Sequence, residues 1–182
     1  MEIKETGIEG LLEIFPSVYH DNRGWFTESH NEATFKSLGL NLSFVQDNLS
    51  FSKKGVMRGL HFQKPPFAQG KLIKVIAGRV LDVALDIRPE SPSFGKHYAI
   101  ELSGEQQNMF YLPEGFAHGF LALEDSYLFY KCTRAYHKES DSGIYFNDPS
   151  LLIDWGITAT VISEKDKNLP TFNDYKASLG LR

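Results

Sequence analysis

An alternation of aliphatic residues with aspartates between Arg79 and Ile87 constrains the fold more than any other feature of this chain. Aliphatic side chains take every second position from Leu81 to Ile87, and Asp82 and Asp86 lie between them. This pattern is typical of a β-strand with one buried face. Similar short segments follow, separated by turns rich in Gly and Pro. The pattern predicts an all-β fold, either a β-sandwich or a small barrel.

Helices are expected only at the periphery. Asn31 can cap a short helix over residues 32–38, which Gly39 would end. Ser163 to Asp166 can start a second one. With no internal repeat and no obvious linker, we expect a single domain over residues 1–182, with a core at about 18–150 and terminal extensions.

Composition excludes several classes of protein. The net charge of −4 lacks the basic excess of a general nucleic-acid binder. No apolar run reaches the roughly 18 residues that suggest a membrane span, and no leader of the charged-then-apolar type precedes the first strand. Cys132 is the single cysteine, so an internal disulfide is excluded and a reducing compartment is favoured. We therefore expect a cytoplasmic protein.

The stretch from Gly55 to Val75 contains residues suited to proton transfer. His61 and Lys71 lie on neighbouring extended segments, and if these pair as a hairpin, both side chains face one cavity. Histidine moves protons near neutral pH, and lysine stabilises a developing negative charge. A satisfied core histidine beside an edge lysine explains the spacing equally well. Arg58 has the opposite parity to His61, and only a bulge or twist at Gly59 would bring it to the same side.

Three further residues have a structural and a chemical interpretation. His118 follows a Pro-Glu-Gly turn, and with His61 it raises the question of a metal site, but such a site needs three or four ligands. Tyr130 is either a core tyrosine with a satisfied hydroxyl or a general acid facing the histidine. Asp166 either supports a helix start or orients His61.

Together these residues resemble the dTDP-4-dehydrorhamnose 3,5-epimerase family. The resemblance covers about Val18 to Asp166 and rests on these runs: Asp21–Glu28, Gln46–Asn48, Met57–Gln63, Gln69–Val75, Gly78–Arg88, Pro113–Phe120, Tyr130–Lys131 and Asn147–Pro149. It implies a cupin-like jelly-roll sandwich that uses no metal or other cofactor, works as a homodimer and binds a dTDP-linked 4-keto-6-deoxyglucose.

The resemblance also implies roles for individual residues. His61 would be the general base, Asp166 its orienting partner, Tyr130 the acid on the opposite face, and Lys71 the group that stabilises the enolate at C4. The substrate-binding set would be Arg23, Glu28, Gln46, Asp47, Asn48, Arg58, His118, Asp141 and Lys165. Asp141 stands where many members have Glu, which gives it a shorter reach.

Three other functions remain open at this stage. A relative that epimerises C3 alone would keep the same histidine, lysine and tyrosine. A metal-dependent cupin oxygenase or isomerase would need more ligands than His61 and His118. A non-catalytic sugar-nucleotide binding protein would have no use for an opposed base and acid.

Overall fold

Two antiparallel sheets packed face to face form the body of the computed structural model, which describes residues 1–181. The first sheet has the strand order β1-β2-β10-β7-β12-β5, and the second has the order β13-β6-β11-β8-β9 with β14 added in parallel beside β6. A separate hairpin pairs β3 with β4. The strands are β1 (Glu2–Glu5), β2 (Leu12–Phe15), β3 (Val18–Asp21), β4 (Gly24–Thr27), β5 (Gln46–Ser52), β6 (Val56–Gln63), β7 (Lys71–Ala77), β8 (Arg79–Asp86), β9 (His97–Ser103), β10 (Met109–Leu112), β11 (Phe116–Ala122), β12 (Ser126–Cys132), β13 (Asp141–Gly143) and β14 (Val161–Ile162).

The helices are short and peripheral: α1 (Glu32–Ser37), α2 (Glu164–Lys167) and α3 (Phe172–Ser178), with one 3-10 turn at Lys138–Ser140. Asn31 caps α1 through its side chain, as the sequence predicted. Ser163 caps α2 in the same way. The predicted all-β sandwich with few helices is confirmed.

Apolar packing occurs in three layers. Between the sheets, residues such as Ile73, Phe110 and Phe120 form the central core. A second cluster covers the outer face of the second sheet, where the C-terminal segment packs with Trp155 and Phe172. A third cluster lies on the outer face of the first sheet, beneath α1. The chain thus uses both termini to cover the sheet faces that the sandwich itself leaves open.

The alternation from Leu81 to Ile87 directs side chains to alternate faces as predicted, but both faces of β8 are buried, so the expectation of a single buried face is wrong. The aliphatic side chains of this stretch pack in the outer cluster of the second sheet. Asp82 has the opposite parity and is fully buried on the inner side, where it contacts His118. This polar pair lies inside the sandwich, beside the site described below.

Some expectations from sequence need correction. The segments carrying His61 and Lys71 do not pair as a hairpin, because β6 belongs to the second sheet and β7 to the first. The first sheet also starts earlier than residue 18, since β1 and β2 are two of its strands. Helix α3 was not expected from the sequence, although Thr171 and Asp174 form a capping box at its start, and it packs against the second sheet through Phe172 and Tyr175.

Candidate active site

A cavity of about 780 Å³ opens between the two sheets and contains most of the predicted site residues. The second sheet contributes β6 and β11 to its wall, and the first contributes β5, β7 and β12. The chain after β14 closes one side. The site residues predicted from the sequence that line the cavity are Gln46, Asn48, Arg58, His61, Lys71, His118, Tyr130, Asp141, Lys165 and Asp166.

An irregularity in β6 places Arg58 and His61 on the same face. His61 is opposite His118 and Arg58 is opposite Phe120, so β6 has one residue more than β11 over this interval. Such a bulge reverses the parity of the strand. Gly59 lies in the bulge with a φ of 127°, and a Cβ there would meet the Cα of Gly119 at 2.4 Å. The geometry therefore requires glycine at position 59. The bulge also explains how Arg58 reaches the cavity.

His61 and Asp166 form a close pair at the cavity wall. Asp166 Oδ1 lies 2.6 Å from His61 Nε2. Burial alone would raise the pKa of Asp166, but hydrogen bonds from His61, the Gly59 backbone and Ser163 lower it overall. The carboxylate therefore stays ionised and holds the proton on Nε2, which leaves Nδ1 as the basic nitrogen.

Asp166 serves the histidine instead of its own helix. It occupies the third position after the cap Ser163, whose hydroxyl accepts the Asp166 backbone N–H at 3.0 Å. In α3 the residue at the same position, Asp174, returns a bond to the backbone N–H of Thr171 and completes a capping box. In α2 the carboxylate is directed to His61 instead. The backbone of Asp166 thus takes part in the helix start, and its side chain contacts His61, so each of the two interpretations made from the sequence describes part of the geometry.

Lys71 enters the cavity from β7, next to Cys132 on β12. Burial lowers the pKa of Lys71, because the wall of the sandwich removes the ammonium from water, although Cys132, Asp82 and Asp141 act in the opposite direction. Within residues 1–181 the Lys71 ammonium has no salt-bridge partner. A positive charge without a counter-ion at the cavity wall is suited to stabilise a developing anion.

Tyr130 faces the cavity from β12, on the same side as Leu128 and Cys132. Burial raises the pKa of Tyr130, and Cys132 adds to this while Arg58 opposes it. The phenol is therefore fully protonated near neutral pH and able to donate a proton. Arg58 reaches across from the second sheet, donating to Ser52 Oγ at 3.0 Å and to the Phe51 carbonyl at 3.2 Å.

A second histidine–aspartate pair lies beside the first. His118 Nε2 is 3.0 Å from both carboxylate oxygens of Asp82, and both residues are buried. Burial lowers the pKa of His118, and Lys71 and His61 lower it further, whereas Asp82 raises it. A neutral His118 that donates from Nε2 to Asp82 presents its Nδ1 as a hydrogen-bond acceptor.

Polar groups also line the outer part of the cavity. Gln46 donates to Asn48 Oδ1 at 3.0 Å and accepts the backbone N–H of Tyr136 at 2.7 Å. Asp141 Oδ2 accepts from Lys165 Nζ at 2.5 Å and from the Tyr136 hydroxyl at 3.2 Å. The shorter Asp141 side chain still reaches the cavity and engages Lys165.

Comparison with known proteins agrees with this geometry. A family model described as dTDP-4-dehydrorhamnose 3,5-epimerase matches residues 5–174. The chain is 50% identical over 168 residues to the dTDP-4-dehydrorhamnose 3,5-epimerase of Methanothermobacter thermautotrophicus, covering 90% of each chain. It is 48% identical to the Escherichia coli enzyme of that name, covering 96% of each. The chain belongs to the dTDP-4-dehydrorhamnose 3,5-epimerase family.

A solved structure extends the comparison to the fold. The dTDP-6-deoxy-D-glucose-3,5-epimerase of Legionella pneumophila, in complex with dTDP-4-keto-L-rhamnose, superposes with a TM-score of 0.92 at 46% identity. The alignment covers 98% of this chain and 96% of that one. The expected cupin-like jelly roll is thereby confirmed, and the chain is an isomerase of the epimerase family.

Three residues of the predicted binding set lie outside the cavity. Asp47 alternates with Gln46 and Asn48 on β5, so it faces outward and pairs with Lys131 at 2.8 Å. Arg23 is on the exposed β3–β4 turn and binds Asp21 at 2.5 Å. Glu28 accepts from Asn31 at 3.0 Å, ahead of α1. Within one copy of this epimerase-family chain, none of the three lines the site.

Several lining residues were not singled out from the sequence. Gln63 shares the His61 face, and Cys132 and Leu128 share the Tyr130 face, so strand parity was a usable signal for them. Tyr136 lies in a loop, where the sequence offers no periodicity.

Among residues 1–181 no group of three or more His, Cys, Asp or Glu side chains is arranged to hold a metal ion. The described helices are also too short to cross a membrane.

Proposed function

We propose that this protein epimerises dTDP-4-dehydro-6-deoxy-D-glucose at C3 and C5 and so forms dTDP-4-dehydro-L-rhamnose, on the route to dTDP-L-rhamnose. The observation that carries the proposal is the arrangement of the cavity. His61, supported by Asp166, enters from the second sheet, and Tyr130 enters from the first. Epimerisation by proton transfer needs a base and an acid on opposite faces of the sugar ring, and this cavity offers both.

The first step proposed is proton abstraction beside the ketone. The C4 carbonyl acidifies the hydrogens at C3 and C5, and His61 Nδ1 takes one of these protons. The electrons of the broken C–H bond form a C=C bond to C4, and the carbonyl π electrons move to its oxygen as an enolate. Asp166 stabilises the imidazolium that results.

Lys71 and Tyr130 complete the step in this proposal. The Lys71 ammonium stabilises the enolate oxygen, an interaction that strengthens as charge develops. Tyr130 then donates its phenolic proton to the opposite face of the same carbon, while the enolate collapses to the ketone. The phenolate and the imidazolium exchange protons with solvent before the second carbon reacts. The oxidation state of the sugar is unchanged, so we propose that no cofactor takes part.

The remaining lining residues suit the rest of the substrate. Arg58 carries a positive charge with no carboxylate partner among residues 1–181, and its forked donors match a diphosphate. Lys165 lies at the same opening, bonded to Asp141. Gln46 and Asn48 offer amides along β5. His118 Nδ1 is available to accept a hydrogen bond from a sugar hydroxyl.

We further propose a homodimer, because one copy leaves two expected contacts unmade. Arg23 and Glu28 belong to the expected binding set but lie outside the cavity of their own chain. The outer face of the first sheet at its β5 edge also exposes large apolar side chains, with Leu49 exposed by 65% and Phe51, Ile76 and Tyr127 beside it. Such a contiguous apolar face favours a protein partner, and we propose a second copy of this chain.

The dimer is testable by sedimentation equilibrium. Leu49→Glu places a charge on this face and is expected to raise the dimer dissociation constant at least tenfold. Leu152→Glu is the matched control, since Leu152 is exposed by 83% on the C-terminal segment. A wild-type protein that sediments as a monomer at micromolar concentration would contradict the dimer.

We propose that the chain is one functional unit, because residues between 46 and 166 line the same cavity. We also propose that it works in the cytoplasm, because its proposed substrate is a sugar nucleotide. Product analysis tests the reaction. Proton NMR of the purified protein with dTDP-4-dehydro-6-deoxy-D-glucose should show inversion at both C3 and C5, with activity insensitive to chelators. Inversion at C3 alone would identify the C3 epimerase instead, binding without turnover would identify a binding protein, and loss of activity with a chelator would identify a metal enzyme.

A further inference from the structure

The motif Asn147-Asp148-Pro149 has no place in the chemistry above, yet Asp148 is a buried carboxylate, only 5% exposed. We propose that Asp148 is a positioning residue that holds Asp166 against His61 by anchoring the C-terminal segment. The inference rests on the proposed function and deepens it. It concerns the position of Asp166, the residue that keeps the proposed base His61 in one tautomer.

Asp166 lies in α2, a helix too short to be stable without contacts to the rest of the protein. Helix α2 has four residues, far fewer than a stable isolated helix needs. Before it, β14 pairs with β6 over two residues only. The placement of Asp166 therefore depends on what fixes the chain after the helix.

Two hydrogen bonds to the loop after β13 help to fix the chain after α2, in addition to the packing of Phe172 and Tyr175 against the second sheet. The Pro170 carbonyl accepts the backbone N–H of Tyr145 at 2.8 Å. Two residues later, the Phe172 backbone N–H donates to Asp148 Oδ2 at 2.6 Å. The capping box of α3 satisfies the N–H groups of Thr171 and Asp174, so it leaves the Phe172 N–H for Asp148. The carboxylate thus ties the first turn of α3 to the loop after β13.

The anchor is itself rigidly held. Asp148 Oδ1 accepts the Ser150 backbone N–H at 2.8 Å and its hydroxyl at 2.7 Å. Burial alone would raise the pKa of Asp148, but the bonds from Ser150 and Phe172 outweigh it and lower the pKa. Asp148 therefore remains a charged acceptor with each oxygen committed to a donor. Phe172 follows Asp166 by six positions in the chain, so we expect movement of the anchored turn to displace the Asp166 carboxylate.

The close approach of Asp166 to His61 makes the pair sensitive to such movement. A hydrogen bond of 2.6 Å weakens steeply as its partners separate. A misplacement of about 1 Å in catalytic geometry can reduce the rate by about a hundredfold. Loss of the anchor should therefore act on His61, although Asp148 does not line the cavity.

The test is Asp148→Asn, which keeps the volume but offers one acceptor oxygen and one amino group to three donors. We expect kcat to fall at least tenfold with KM within twofold. Ring ¹⁵N NMR should show His61 changing from one tautomer to a mixture, as it should in Asp166→Asn. The matched control is Glu13→Gln, another buried carboxylate that bonds Tyr98 on a distant part of the sandwich. It should leave kcat and the His61 ring signals unchanged.

An Asp148→Asn protein that is folded, retains wild-type kcat and keeps one His61 tautomer would overturn the inference. If that variant does not fold, Ser150→Ala removes one bond to Asp148 and should produce the same changes at smaller size; unchanged His61 signals there would equally overturn it. Failure of the proposed function is separate, since it would appear as a wild-type protein without turnover, whereas the His61 signals report on Asp148 in either case.

Discussion

His61 and Tyr130 reach one cavity from opposite sheets of the sandwich, although they are 69 positions apart in the chain. The same arrangement puts the supporting groups on different elements: Asp166 comes from the C-terminal segment and Lys71 from β7. The proposed base and the proposed acid are therefore both placed by the packing of two sheets, which is rigid, rather than by a flexible loop.

Removing the proposed acid should separate the two halves of the reaction. Tyr130→Phe keeps the ring that packs beside Leu128 but deletes the hydroxyl. We expect kcat for epimerisation to fall by about 10²–10⁴-fold, the range for general acid catalysis. Exchange of the substrate proton that His61 removes should persist, measured by mass spectrometry in deuterated water. A variant with wild-type kcat would exclude Tyr130 as the acid.

Removing the lysine should lower activity and relieve a cost of folding. Lys71→Met loses the charge opposite the enolate, and we expect kcat to fall by about 10²–10³-fold. Because folding lowers the Lys71 pKa below its usual 10.5, the unfolded chain binds this proton more tightly. Raising the pH towards 10.5 should therefore stabilise the wild type relative to Lys71→Met in urea unfolding. A difference that does not change with pH would contradict the burial of a charged lysine.

The bulge at Gly59 should tolerate no side chain. Gly59→Ala forces a Cβ onto the Gly119 backbone, which cannot move aside, so we expect a loss of about 2–4 kcal/mol in the free energy of unfolding. Gly24→Ala is the matched control, because Gly24 has a φ of 132° and open space around it. It should lose only about 1 kcal/mol, the cost of the backbone conformation. Equal losses in the two variants would mean that the contact with Gly119 is unimportant.

The turn after β8 should make stability depend on pH in acid. Burial alone would raise the pKa of Asp86, but bonds from Arg88, Ser91 and Ser93 outweigh it and lower the pKa from 3.8 to about 2. The stabilisation, about 2 kcal/mol from this shift, is present above pH 3.8 and lost as the pH falls towards 2. Asp86→Asn should therefore be less stable than wild type at pH 7, and the difference should shrink between pH 4 and 2. A constant difference across that range would contradict this assignment.

Strand parity explains how much of the site was predictable. Alternation along β8 identified the fold class, and alternation along β12 placed Tyr130 with Leu128 and Cys132 on one face. The same rule failed along β6, because the bulge at Gly59 reverses parity there and brings Arg58 to the His61 face. A bulge depends on the partner strand, so one strand's sequence can only suggest it.

Contacts between distant segments were the least predictable feature. The local sequence of Asp166 indicated a helix start, and only the resemblance to the family connected it with His61. The hairpin expected for His61 and Lys71 was wrong because strand order in a jelly roll is not sequential, and the two residues meet across the sandwich. Arg23 and Glu28 lie outside the cavity of their own chain, and their role in substrate binding stays a prediction that depends on the proposed dimer.

Solvent deuterium exchange in His61→Ala tests whether His61 removes the protons at C3 and C5. The variant is incubated with dTDP-4-dehydro-6-deoxy-D-glucose in deuterated water, and deuterium at C3 and C5 is measured by NMR, with circular dichroism to show that the fold is retained. We expect exchange at both carbons for the wild type and at neither for the variant. Undiminished exchange in a folded His61→Ala protein would contradict the assignment of His61 as the base.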